Sequence, residues 1–243
     1  MKKLVFTLAT CCIMCACEQK TETNPFFTEF RTEYGAPDFD KIKIEHYEPA
    51  FLKGIEEQNA EIKAIVESRE TPGFENTIVA LDNSGRTLAR VKGVFYALTE
   101  ADTNDEMSAL SEKIAPVLSE HNDNIYLNQD LYKRVAAVWQ QEQEGKITLT
   151  TEQHRLLDRY YKAFIRSGAG LDAGKQNRLR EINKELSTLA ITFSNHVLNE
   201  NNAYRLVIDN EAELAGLPEW VKTGAAEEAK AVGKEGKWLF FFL

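Results

Sequence analysis

Apolar residues recur every three or four positions along most of the chain, the spacing of an amphipathic helix. Tyr47, Phe51, Ile55, Ile62 and Ile65 trace one stripe over 46–68, with Glu and Lys between them, until Pro72-Gly73 interrupts it. A second stripe carries Ile78, Leu81, Leu88, Val91, Phe95 and Leu98, and Gly85 and Gly93 lower its intrinsic helicity. Leu156, Leu157, Tyr160, Tyr161, Phe164 and Ile165 predict a buried face on a helix over 151–166, closed by Gly168-Ala169-Gly170. The longest predicted helix runs from Asp172 to about Glu200. Its Leu179, Ile182, Leu186, Leu189, Phe193 and Val197 form a seam expected to be packed, over too few heptads for a coiled coil.

Helix starts are marked by polar residues that can satisfy the orphan amides of a first turn. Thr103 and Glu106 have capping-box spacing, Asn128 precedes the next helix, and Thr150 with Gln153 makes a second box. The pattern changes near Ala203. Tyr204 to Asp209 is β-rich, Pro218 fits the first position of another short helix, and Gly236 to Leu243 reads as a strand. The expected fold is therefore mostly α, a multi-helix body with a short β element near the C-terminus.

Composition adds little to this. The 243 residues are 43% hydrophobic and 28% charged, with only 13 Gly and 6 Pro, which excludes a disordered or fibrous chain. A net charge of −9 argues against nucleic acid as a partner, because phosphate binding requires a clustered cationic face.

The cysteines are more informative. Cys11, Cys12, Cys15 and Cys17 are the only four, so the chain beyond them has no disulfide and no thiolate site. Lys2 and Lys3 precede an apolar run from Leu4 to Met14, too short to span a bilayer and of signal-peptide length. Met14-Cys15-Ala16-Cys17 before a polar stretch resembles a bacterial lipobox, with Met14 where Leu is usual. That reading makes 1–16 a signal peptide, Cys17 the lipidated residue, 17–24 a polar tether and 25–243 the helical lobe. It places the protein in the cell envelope, on a membrane through a lipid anchor, periplasmic or associated with the outer membrane. An ordinary cleaved signal and a cysteine metal cluster are the alternatives.

Catalytic motifs are missing. His46, His121, His154 and His196 lie far apart, and none is followed by the Glu and second His of a helical zinc site. Surface or capping roles are the simpler expectation for them. There is no Gly-x-Ser-x-Gly nucleophile turn and no phosphate-binding loop. Ser84-Gly85 and Ser167-Gly168 look like helix-end or packing sites. Adjacent acids such as Glu56-Glu57 and Glu227-Glu228 face different directions on a helix and read as solvated faces. Motifs alone assign no catalytic residue and no metal ligand.

A series of short strings carries more. Asn24-Pro-Phe-Phe27, Pro37-Asp-Phe-Asp40, Ile44-Glu-His-Tyr-Glu-Pro-Ala-Phe51 and Phe74-Glu-Asn-Thr-Ile78 come first. Pro116-Val-Leu-Ser-Glu-His121, Leu149-Thr-Thr-Glu-Gln153, the run Arg178 to Ser187, Leu214-Ala-Gly-Leu-Pro218 and Gly236-Lys-Trp238 follow. In that order, from about residue 24 to Trp238, the chain resembles the N-terminal part of the bacterial peptidyl-dipeptidases (dipeptidyl carboxypeptidases) of the thimet oligopeptidase family. The resemblance implies one lobe of a neurolysin-like, mostly helical clam whose channel admits short peptides. It also implies a zinc cofactor in the parent family, held by His-Glu-x-x-His and a later Glu in the C-terminal half. No part of that zinc site can be carried onto this sequence. The chain is thus expected to be inactive alone and to have the C-terminal catalytic half as its missing partner, through a truncated or frameshifted reading frame or a split enzyme. A complete small domain, serving as a non-catalytic peptide-binding or scaffold lipoprotein, is the alternative.

Overall fold

The computed structural model describes residues 24–241, so the signal-peptide reading and the lipidation of Cys17 lie outside the described residues. Short 3-10 turns at Pro25–Phe27, Glu33–Gly35 and Phe39–Lys41 lead into α1 (Ile44–Glu67). A π-helical turn, Phe74–Val79, opens directly into α2 (Ala80–Asp82), and α3 (Arg86–Ala101), α4 (Asp105–Tyr126), α5 (Gln129–Gln143), α6 (Thr151–Arg166) and α7 (Ala173–Ala203) follow. The chain then forms β1 (Leu206–Ile208), α8 (Glu219–Ala231) and β2 (Trp238–Phe240). The mostly α fold with a small β element is as expected.

Two apolar clusters hold the helices together, and α1 passes through both. Its first half puts Tyr47, Ala50 and Phe51 against Phe26, Leu88, Val91, Phe95 and Ile114. Its second half puts Ile62 and Ile65 against Ile78, Leu81, Leu131, Val135, Leu157 and Phe164. Burying a side chain of this size contributes roughly 1.5–3 kcal/mol, so α1 is the element whose loss dissolves both clusters.

The predicted stripe over 78–98 is two surfaces, Ile78 and Leu81 joining one cluster and Leu88, Val91 and Phe95 of α3 the other. Gly85 adopts φ 72°, a left-handed conformation that breaks the helix and caps α3, and its amide donates to Glu61 Oε2 at 2.7 Å. Other expectations also need correction. Asn104 rather than Thr103 caps α4, accepting from the Met107 amide at 2.9 Å. Pro218 is the cap of α8 and Glu219 its first residue. Ile165 points outward, 48% exposed, while Leu157 and Phe164 of the same helix are fully buried. The Asn128 cap and the Thr150–Gln153 box form as the sequence indicates, and Asp172, expected as the start of the longest helix, is its cap.

The C-terminal strand finds a partner. Val207 sits opposite Leu239 in an antiparallel two-stranded sheet, and α8 packs on β2, leaving Leu239 buried. The largest departure concerns α7. This helix lies along α4, yet none of its residues is buried. Its seam faces outward, with Leu186 56%, Leu189 53% and Phe193 70% exposed.

Candidate functional site

Among the described residues no group of three or more His, Cys, Asp and Glu is placed to hold a metal ion. The histidines explain why the donor chemistry does not fit zinc. His46 Nδ1 accepts from the Lys43 amide at 3.0 Å, so it caps α1 as expected. His154 is a surface residue whose Nδ1 lies 2.7 Å from Glu142 Oε1, and His196 is exposed on α7. His121 was expected at the surface or in a cap and is instead 5% exposed. The signal for it was present, because His121 falls seven residues after Ile114 and four before Ile125, on the inner face of α4.

His121 belongs to a relay of hydrogen bonds. Ser84 donates through Oγ to the Leu81 carbonyl at 2.8 Å, and Gln58 donates through Nε2 to Ser84 Oγ at 3.2 Å. With its amide nitrogen so engaged, Gln58 offers Oε1 to His121 Nε2 at 2.7 Å. That fixes the neutral tautomer with its proton on Nε2. His121 Nδ1 is buried without a protein partner, and burial, with the Lys92 charge adding to it, pushes the imidazole pKa down.

A polar groove of about 520 Å³ lies between α4 and α7, bordered by Ser119, Asn122, Asp123, Leu179, Asn183 and Leu186. Asp123 is 5% exposed, and burial raises its carboxyl pKa, opposed by its hydrogen bond to Asn183 and the nearby charge of Arg180. Asn183 Nδ2 donates to Asp123 Oδ1 at 2.8 Å, Arg180 Nη1 to Asn124 Oδ1 at 2.8 Å, and Asn195 Nδ2 to Glu112 Oε1 at 2.9 Å. The longest helix is therefore held to the body by polar pairs. With Arg166 and Ser167 also at its border, the groove offers amides, hydroxyls, one carboxylate and one guanidinium, a lining that can bind the backbone of an extended chain.

A second buried polar centre fixes the loop after α1. Arg134, mostly buried, donates through Nη1 to the carbonyls of Ser68 at 3.1 Å and Glu70 at 3.3 Å. Its Nη2 reaches Asn76 Oδ1 and Thr77 Oγ1, both at 3.4 Å. Asn76 in turn accepts from the Gly73 amide at 2.8 Å and donates to the Thr71 carbonyl at 3.0 Å. The string Phe74-Glu-Asn-Thr-Ile78 is thus an anchor of the fold. The string Asn24-Pro-Phe-Phe27 is another, in which Asn24 donates to the His46 carbonyl at 2.7 Å and Arg90 to that of Phe26 at 2.9 Å. Sequence reading missed the roles of Arg134 and Asp123.

Comparison with known proteins gives the strings their meaning. No family model matches the chain. Over 219 residues, 90% of its length, it is 40% identical to the dipeptidyl carboxypeptidase of Escherichia coli (strain K12), and the match covers 32% of that protein. It is 41% identical over 216 residues to the dipeptidyl carboxypeptidase of Salmonella typhimurium, covering 89% of this chain and 32% of the relative. Oligopeptidase A of Salmonella typhimurium is 31% identical over 214 residues, covering 88% of the chain and 31% of the relative. The chain is a peptidase relative that spans about a third of the length of the curated proteins it matches. These relatives match the thimet oligopeptidase family that the strings resemble.

Proposed function

We propose that this chain forms the N-terminal lobe of a zinc peptidyl-dipeptidase or oligopeptidase and walls one side of a channel for short peptides. Collinear similarity to dipeptidyl carboxypeptidases across 90% of the chain carries this reading. The described residues do not supply a zinc donor set, so the chain's part is to shape and line the channel. The polar groove between α4 and α7 offers the hydrogen-bonding groups such a wall needs. Zinc and the residues that activate water would come from the region corresponding to the rest of the relatives' length.

The purified chain, given zinc and short peptides, is expected to release no dipeptide. Grafted in place of the matched region of the Escherichia coli enzyme, residues 24–241 are expected to support dipeptide release. Robust turnover by the chain alone, or a folded but inactive graft, sinks the reading. Lipid anchoring outside the cytoplasm rests on Met14 to Cys17 and is tested separately. Labelled fatty acid should enter the expressed protein and be lost in Cys17→Ser; equal labelling of both removes the anchor.

A second reading, a non-catalytic peptide-binding or scaffold lipoprotein, draws on the two apolar clusters that the chain completes from its own residues. Calorimetric titration of the metal-free chain with short peptides separates the two. Micromolar binding by the chain alone favours the scaffold, and its absence favours the lobe.

A further inference from the structure

The seam of α7 lacks a partner within the described chain. Ile182, Leu186, Leu189, Phe193 and Val197 are between 36% and 70% exposed, along four turns of one helix, with Leu186 also bordering the groove towards α4. Single exposed apolar residues are ordinary, but a contiguous row of five marks an interaction surface. At 100° per residue the row lies about a third of a turn from the side on which Asn183, Ser187, Ile191 and Ser194 face α4. The helix thus presents a polar side to its own body and an apolar side to something else.

We infer that this seam docks an apolar surface of the polypeptide that the relatives carry beyond the matched third, so that α7 joins the two parts of the enzyme. The inference rests on the proposed lobe function. Three observations choose this occupant over a second copy of the chain. The match takes up 32% of the dipeptidyl carboxypeptidase, which leaves about two-thirds of that polypeptide to provide the covering surface. The seam also abandons the coiled-coil repeat. After Ile182, Leu186, Leu189 and Phe193, the heptad position falls on His196 and the apolar residue shifts to Val197. Such drift suits packing against a globular face. Two copies bearing −9 each would also repel on approach.

The test uses thiol footprinting, since every native cysteine lies at or before Cys17 and a thiol on α7 is read by peptide mapping. Phe193→Cys and a control on the far side of the helix, Glu181→Cys, are made in the full chain. Both are also made in the Escherichia coli dipeptidyl carboxypeptidase whose matched region is replaced by residues 24–241. In the isolated chain both thiols should react quickly with maleimide. In the graft, Cys at 193 should slow by about tenfold or more while Cys at 181 keeps its rate. A folded graft that leaves position 193 as reactive as in the isolated chain overturns the inference. So does an isolated chain already protected there, sedimenting as a dimer that Phe193→Asp dissociates. A graft that fails to fold counts against it as well, because a complementary face accepts the seam. Dipeptide release is scored separately. Protection without activity defeats the lobe function and leaves the docking, whereas activity with an open position 193 defeats the docking alone.

Discussion

Gly54 on α1 meets the backbone of Leu88 on α3, where an added Cβ would stand 2.8 Å from both the Leu88 Cα and amide nitrogen. Alanine at a helix interior normally gains about 1 kcal/mol over glycine. Here it must push apart two backbones, and overpacking of that kind costs roughly 1–3 kcal/mol. The obstacle is main chain and cannot rotate away, so the cost wins. Gly54→Ala should lower the melting temperature by a few degrees, at roughly 2–4 °C per kcal/mol for a chain of this size. Gly93→Ala, on α3 with nothing within 4 Å of the new Cβ, should raise it. Thermal unfolding of the two variants decides, and a harmless Gly54→Ala refutes the close approach.

Arg134 holds the segment between α1 and the π-helical turn by donating hydrogen bonds to two carbonyls that no helix satisfies. Arg134→Met keeps the bulk and removes the donors, leaving the Ser68 and Glu70 carbonyls short of partners. Ser68 is half-buried and Glu70 exposed, so water replaces part of what is lost and each missing hydrogen bond costs about 0.5–1.5 kcal/mol. The variant is expected to lose about 1–3 kcal/mol in urea unfolding, and a loss below about 0.5 kcal/mol contradicts the anchoring role.

His121 makes stability depend on pH. Its folded-state pKa is lowered by burial, with Lys92 adding to it, whereas the imidazole of the unfolded chain titrates near 6.5. As pH falls below that value the unfolded chain takes up a proton that the folded ring refuses. Stability therefore declines with falling pH from about 6.5 towards the lowered folded pKa. Urea unfolding at intervals between pH 8 and pH 5 should show this slope in the native chain and a shallower one in His121→Gln. Identical slopes exclude His121 as its source.

Much of this fold is legible because its anchors are local. Thr150 with Gln153, Asn128 and Asp172 work within one helical turn, and the pattern of a turn is visible in a sequence. Periodicity found the core residues of α1, α3 and α6, such as Phe51, Phe95 and Phe164, but not those that α4 and α5 add, such as Ile114, Leu131 and Val138. Periodicity cannot say which of two neighbouring faces a helix buries, and α7 shows the consequence. Its seam has the spacing of a packed surface, yet α4 holds it by Asn183, Arg180 and Asn195, polar residues that look solvated in sequence. Gly85 was read as a weak point within one helix because its positive φ comes from the tertiary path, with Glu61 across the interface receiving its amide. The candidate site was hidden for the same reason. Asp123, His121 and Arg134 are polar groups whose partners lie 57 to 66 residues away, at Asn183, Gln58, Thr77 and Ser68.

The Asp123–Asn183 pair yields a prediction whose pH dependence separates electrostatics from packing. Burial raises the Asp123 carboxyl above its ordinary 3.8, and the Asn183 hydrogen bond works against that rise. A raised carboxyl favours the fold while protonated, and that contribution is lost as pH climbs from the unfolded value through the folded one. Removing the donor in Asn183→Ala raises the carboxyl further and leaves a buried charge unsupported at neutral pH. The expected loss at pH 7 is about 1–3 kcal/mol, with faster hydrogen exchange along α7. At pH 3.5 the carboxyl is protonated in both states for a larger share of molecules, so the loss should shrink. Asp123→Asn, which keeps an acceptor for Asn183 and carries no charge, should cost less than Asn183→Ala at pH 7. An Asn183→Ala penalty of the same size at both pH values makes the contact one of shape alone and rejects the charge-supporting role.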